Sequence, residues 1–241
     1  MNFLLFIVIA AAIPHVILYL RRLHRMIVYK RSDYYTATRK RFRTVRRDLG
    51  LWGEYLTYLK LRKLPGDKKF LYNCYVPKGD GTFTEIDLIM LHASGVYVFE
   101  SKNYSGWIFG SEADQYWTQS LRGGRKERFY NPIKQNNAHI RQLMQFIPNL
   151  TRESTHSVIV FSERCELRKL SYSTEQQMIV KRNHLNRTMK LHLQRQLSSP
   201  IDIDAIYQKL YPQTQLTEQQ KQAHIQRVTE IKQKPPSHHR R

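Results

Sequence analysis

The sequence predicts a mixed α/β domain behind an N-terminal transmembrane helix. Three observations carry that prediction. Eighteen residues, 3–20, "FLLFIVIAAAIPHVILYL", are apolar almost throughout. Runs of strand period recur between residues 70 and 162. Stretches of helical spacing precede and interrupt them, giving the order helix, three strands, helix, strand. At 241 residues the chain can bury one sizeable core, and an aromatic content of 12% fits a packed domain rather than disorder.

The apolar run would rise about 27 Å as a helix, enough for a thin bilayer core. Pro14 would kink it and His15 weakens it. A cleaved signal peptide normally carries a basic segment in front; here the basic block "RRLHRMIVYKR" follows the run. Residues 1–22 are therefore expected as an anchor. The positive-inside rule puts the N-terminus outside the cell membrane and the rest in the cytoplasm. The net charge is +21, unevenly spread: residues 21–47 hold eleven Lys/Arg and one acid, Asp33. Residues 23–47 are expected as a basic juxtamembrane linker, and Arg21, Arg22, Arg25, Lys30 and Arg31, around its start, to meet anionic lipid headgroups. The segment 48–218 is only moderately basic, with 23 Lys/Arg against 17 acids.

"DLGLWGEYLTYLKLRKL" (48–64) has helical spacing, with Leu49, Trp52, Leu56 and Leu59 as its apolar stripe and "PG" as its stop. "FLYNCYV" (70–76) reads as a strand, and "KGDG" (78–81) as a turn. The stretch 85–102 supplies two more strands. "GWIFG", "QYWTQS" and "KERFY" read as short strands in a meander. "NPIKQNNAHIRQLMQFI" opens a helix with Asn131 as N-cap and Pro132 at the first helical position; Ile133, Ile140, Leu143 or Met144, and Ile147 form its apolar face. "HSVIVFS" (156–162) is a buried strand and "MIV" (178–180) a short one. Helical patterns follow near 183–197, 202–210 and 217–233. Residues 163–234 are thus a mostly helical extension, and 235–241 a disordered tail. Cys74 and Cys165 belong to no CxxC and read as ordinary thiols of a reduced compartment. No HExxH, P-loop or GxGxxG is present.

The hairpin in "EIDLIMLHASGVYVFESKNYSG" (85–106) places charges where the pattern expects core. If Leu91 pairs with Val96, counting back sets Asp87 opposite Glu100; a tight "SG" turn would set it opposite Lys102 instead. Either register leaves Asp87, Glu100 and Lys102 on one face. Two carboxylates about 5 Å apart at an effective dielectric near 20 repel by roughly 3 kcal/mol. A hard divalent cation would offset that, with the Lys102 ammonium beside it to orient water or steady a phosphate. A plain Asp87–Lys102 cross-strand ion pair is the alternative.

These residues resemble the NERD (nuclease-related) domain of the PD-(D/E)xK nuclease superfamily. Asp87 and "ESK" (100–102) match an acid on one strand followed by E-x-K on the next. Gly53 and Glu54 on the preceding helix match too, as do Asn131, Pro132 and Gln135 opening the next one. The resemblance covers roughly 48–162; Ile86 stands where the superfamily name has Pro. It implies a restriction-endonuclease-like fold with a mixed central sheet. It also implies a Mg²⁺- or Mn²⁺-dependent phosphodiesterase acting on DNA or RNA. Asp87 and Glu100 would bind metal and Glu54 would complete or support the site. Lys102 would activate water and Gln135, in its helix's first turn, would hold substrate or water. Arg125 and Lys126 in "RGGRKER", with Lys134 and Arg141, are candidate phosphate contacts. Tyr104 and Trp107 are read as core aromatics rather than base-stacking rings, and His139 as an exposed helix residue. The alternatives are a non-catalytic, membrane-tethered nucleic-acid-binding protein that kept the fold, and a protein scaffold at the membrane.

Overall fold

The computed structural model describes residues 2–174, 177–195, 200–217, 219, 220, 222, 223 and 226, with the backbone alone for 2–10 and 195. Helix α1 (Asn2–Lys30) runs through Pro14 without a break. Among the described residues no helix is long and apolar enough to cross a membrane. Of the anchor expected over 1–22, the side chains of 1–10 lie outside those described.

The segment 23–47 is not a linker. α1 continues through it to Lys30, and α2 (Asp33–Thr38) and α3 (Phe42–Arg47) follow. Ser32 caps α2 by accepting from Tyr35 N at 3.2 Å. Tyr29, Tyr34 and Val45 are buried against α4 (Leu49–Leu61). Tyr34 meets the rings of Tyr55 and Tyr72 at 5.4 and 5.2 Å, and Tyr29 meets Tyr55 at 5.0 Å. This aromatic packing rotates α4 away from the expected stripe. Gly53, Tyr55, Thr57, Tyr58 and Leu61 are its buried residues, whereas Leu49 is 63% exposed.

Two mixed sheets follow, compatible with the restriction-endonuclease-like expectation. The first has the order β1 (Lys68–Pro77), β2 (Phe83–His92), β3 (Gly95–Lys102), β7 (Thr155–Phe161), β9 (Gln177–Lys181). β1, β2 and β3 are antiparallel; β7 and β9 run parallel to β3. The second sheet has the order β6 (Lys126–Tyr130), β5 (Tyr116–Ser120), β4 (Gly106–Ser111), β8 (Cys165–Ser171). Helix α5 (Pro132–Phe146) crosses between the parallel strands β3 and β7. The region after 162 is therefore less helical than its pattern suggests. β8 and β9 complete the two sheets before α6 (Arg182–Arg195) and α7 (Ile203–Leu210). The helix expected near 217–233 and the tail 235–241 fall largely or wholly outside the described residues. Cys74 and Cys165 are buried free thiols.

The β1–β2 ribbon has one irregularity that shapes the site. Tyr72↔Leu88 and Cys74↔Ile86 are paired in one register, but Asn73 and Asp87 drop out between them. Asn73 has φ 48°, a left-handed conformation that Asn tolerates. Side-chain alternation slips there. Tyr72, Leu88 and Met90 face α4, and Leu71, Ile89 and Leu91 face α5; beyond the slip Cys74, Val76 and Ile86 also lie on the α5 side.

Removing Tyr34 tests whether the 23–47 segment is part of the core. Tyr34→Ala should cost roughly 3 kcal/mol or more and lower the melting temperature by about 6–12 °C. A melting temperature unchanged from the parent would show that α2 does not contribute to the core.

Candidate active site

The site is built where β2 and β3 part. Their pairing runs from His92↔Gly95 through Leu91↔Val96 to Leu88↔Phe99 and ends there. β2 continues against β1, and β3 against β7 as far as Lys102↔Phe161. This is the register with Leu91 opposite Val96, closed by a tight turn at Ala93–Ser94. Continued one step, it sets Asp87 across from Glu100 in the fork. The alternation slip makes Asp87 the hinge residue between the two faces, so an acid there is reachable from α4 and α5 alike.

Helix α5 is placed by two asparagines. Asn131, fully buried, accepts from Ile133 N at 2.9 Å. Its amide donates to the carbonyls of Ser111, Glu112 and Asp114 at 3.1, 3.1 and 2.7 Å, fastening the helix start to the β4–β5 turn. One turn on, buried Asn136 donates to Val98 O and to Ser157 Oγ, each at 2.9 Å. With the helix so fixed, Gln135 and His139, four residues apart on one face, look into the fork.

Glu100 is 3% exposed. Its Oε1 lies 2.7 Å from Lys102 Nζ, and its Oε2 lies 3.6 Å from His139 Nε2. Lys102 Nζ also donates to Gln135 Oε1 at 3.0 Å. His139 Nδ1 lies 2.8 Å from Thr84 Oγ1. From α4, Glu54 accepts from Tyr34 OH at 3.3 Å. Gly53 lets α4 approach: a Cβ there would meet Asn103 Cβ at 2.9 Å. Glu85 accepts from Tyr75 OH at 2.8 Å and from Asn73 Nδ2 at 3.3 Å.

The carboxyls divide by charge environment. Burial pushes Glu100 up, but the Lys102 ammonium and the nearby His139 ring outweigh it and hold the group below the usual carboxylate range. Burial lowers Lys102, but Glu100 more than compensates, so its ammonium is firmer than in water. Asp87 has no such partner nearby. Burial, then the charges of Glu100, Glu54 and Glu85, raise it well above the usual range, with Lys102 a smaller opposing influence. Glu54 is pushed up to about 7 by burial, against Lys40 and the Tyr34 hydrogen bond.

The five residues proposed from sequence as catalytic therefore meet in one electrostatic cluster around the fork. Sequence reasoning missed Tyr34, Thr84, Glu85 and His139. His139 is 8% exposed and not a surface residue. Its spacing of four from Gln135 was the available signal. The four basic candidates do not gather at the fork's acids. Arg125 pairs with Glu127, Lys134 Nζ donates to Ala113 O at 2.6 Å, and Lys126 and Arg141 are exposed. Among the described residues no group of three or more His, Cys, Asp or Glu forms a ready-made metal cage. The donors are nonetheless hard oxygens, and Asp87 faces repulsion that a cation would relieve. Mg²⁺ commonly takes one or two carboxylates, substrate oxygens and water.

The raised carboxyls fix a pH dependence. A group raised in the folded state stabilises it below the ordinary carboxylate pKa and loses that contribution as pH rises through the folded value. Glu54 should therefore cost the metal-free protein stability from about pH 4.5 to about 7. Glu100, lowered, opposes this and loses its contribution only as pH falls through its depressed folded pKa. Urea unfolding in EDTA between pH 5 and 8 should show Glu54→Gln gaining on the parent as pH rises. Parallel curves for the two proteins would refute the assignment.

The model of the nuclease-related domain (NERD) family matches residues 49–162. An uncharacterized protein of Bacillus anthracis is 32% identical over 159 residues, covering 66% of this chain and 73% of that protein. No solved structure matches the chain. The matched segment begins at α4, ends at the close of β7 and contains every acid of the fork. The chain belongs to the nuclease-related domain (NERD) family.

Proposed function

We propose that the protein is a metal-dependent nuclease that hydrolyses phosphodiester bonds of nucleic acid. The observation that carries this reading is the fork. One buried carboxylate, Glu100, is held charged beside a lysine, and a half-buried carboxyl, Asp87, has no ion-pair partner of its own among the described residues. A purely structural ion pair needs only Glu100 and Lys102. Asp87 is then a standing cost without a structural return, and Glu54 returns only the 3.3 Å bond from Tyr34, a pattern typical of sites arranged for chemistry.

A divalent cation, Mg²⁺ or Mn²⁺, would be held by Asp87 and Glu100 with Glu54 completing or supporting the set, and when bound it supplies Lewis-acid stabilisation of a phosphate. The chain's own groups do the rest. Lys102, kept protonated by Glu100, donates hydrogen bonds to the attacking water or to a phosphate oxygen. Gln135 fixes the direction of that ammonium through the 3.0 Å bond. Glu54, with a proton affinity near neutrality, suits acceptance of a proton from water. His139 holds the far oxygen of Glu100, leaving the near one to Lys102.

The same reading tethers the domain to the cell membrane, N-terminus outside and site in the cytoplasm, with Arg21, Arg22 and Arg25 at anionic headgroups. Its support is that Ile13, Val16, Ile17, Leu18, Tyr19 and Leu20 stand 43–65% exposed along α1, an apolar surface that calls for a cover.

Two measurements check these statements. With Mg²⁺ the full chain should cut DNA or RNA, and EDTA should stop it. Glu100→Gln should abolish cleavage by a factor of at least about 10² with little change in substrate affinity, since cationic contacts supply most binding. Retained affinity with no cleavage by the parent under any metal would favour the non-catalytic binding protein instead. For topology, a reporter active only in the cytoplasm, fused after residue 241, should work. A silent cytoplasmic reporter with an active exterior one would overturn the orientation.

A further inference from the structure

We infer that the outer face of the second sheet is a binding platform for single-stranded nucleic acid, which narrows the substrate class of the nuclease reading above. The strands β6, β5, β4 and β8 bury one face and leave the other bare. Ile108, Trp117 and Phe129 point into the core with Leu167. The alternate residues Trp107, Tyr116 and Tyr130 are 50%, 42% and 43% exposed. Neighbouring β5 and β6 bring Tyr116 opposite Tyr130, with ring centroids 6.0 Å apart, and Ser120 opposite Lys126. Trp107 lies between Ser120 of β5 and Glu166 of β8.

Cations are interleaved with these rings. Arg128 sits 5.0 Å over Tyr116, and Arg168 sits 5.4 Å over Trp107. Arg168 is fixed by Glu166, the acid of this face, at 2.6 and 3.0 Å. With Arg168 over it, the indole is still half exposed. Beside Trp107 opens a cavity of about 850 Å³ lined by Ser105, Leu121, Arg122, Arg164 and the Gly123–Gly124 loop. Exposed aromatic rings alternating with Lys and Arg on an open sheet suit unpaired bases and their phosphates. The bases of a duplex are stacked away from such contact.

The platform leads to the fork. Three residues, Asn103–Ser105, join Lys102 to the start of β4, so Trp107 is at most about 18 Å of chain from Lys102. That connection is held by Arg164 Nη2 donating to Asn103 O at 2.7 Å and Gln119 Nε2 donating to Ser105 O at 2.8 Å.

The test is binding by the full chain in EDTA, read by anisotropy with a labelled single-stranded oligonucleotide and the matching duplex, alongside tryptophan fluorescence. The single strand should bind more tightly and quench the emission. Trp107→Ala should lose roughly ten-fold in single-strand affinity, as removal of one stacking contact does. It should also lose most of the quenching, with an unchanged melting curve, because the ring is exposed. Arg128→Ala should weaken binding and lower its salt dependence. Equal affinity of parent and Trp107→Ala would overturn the platform while leaving metal-dependent cleavage intact. Tight single-strand binding by a parent that never cleaves would keep the platform and sink the nuclease. Preference for the duplex would refute the inference outright.

Discussion

The ion pair between Glu100 and Lys102 is the interaction on which the rest of the site depends. A carboxylate at 3% exposure costs several kcal/mol unless it is paired and hydrogen-bonded. Lys102 at 2.7 Å meets that demand from two residues along the same strand. The lysine's second partner is Gln135 on α5, and Glu100's second contact is His139 on the same helix. The helix must therefore lie in one place. Asn131 and Asn136 hold it there by bonds to the β4–β5 turn, to Val98 and to Ser157. The meander inserted between β3 and α5 thus shares in setting the geometry of an acid it does not touch.

With Glu100 paired to Lys102, Asp87 is left without an ion-pair partner among the described residues, and Glu54 with a tyrosine hydroxyl only. Asp87 occupies the slip in β2, across from Asn73 with its left-handed backbone, at the point where β2 and β3 separate. Glu54 is carried by α4, whose close approach to Asn103 depends on Gly53. The neighbouring carboxyls have opposed shifts, one lowered and two raised. Charge is available at neutral pH on one side, and repulsion waits to be relieved on the other. The family match covers α4 through β7 and so contains this constellation whole.

Much of this was legible in the residues. Strand period located β1 to β7, and "NP" marked the start of α5. The hairpin's pattern left two registers open, with Asp87 opposite Glu100 or opposite Lys102, and the structure pairs Leu91 with Val96. What was not legible depended on partners distant in sequence. The tyrosines of α2 and α4 decide which face of α4 is buried, and a leucine stripe alone pointed elsewhere. The basic segment 23–47 looked like a linker because its charge hides three residues, Tyr29, Tyr34 and Val45, that the core takes up. The slip at Asp87 depends on the φ of Asn73 on another strand. His139 looked like surface because its partners, Glu100 and Thr84, come from two strands. Trp107 looked like core because a short strand's outer and inner faces differ only by parity.

The most direct test of the central claim needs no substrate: melting curves of the parent and of Asp87→Asn, each in EDTA and in excess Mg²⁺. If the fork is a cation site, Mg²⁺ raises the parent's melting temperature, because a ligand bound by the native state alone stabilises it by mass action. In Asp87→Asn the metal response vanishes, while the metal-free variant is as stable as the parent or more so. A parent indifferent to metal, together with a destabilised Asp87→Asn, would contradict the account and leave Asp87 as a structural partner of Lys102.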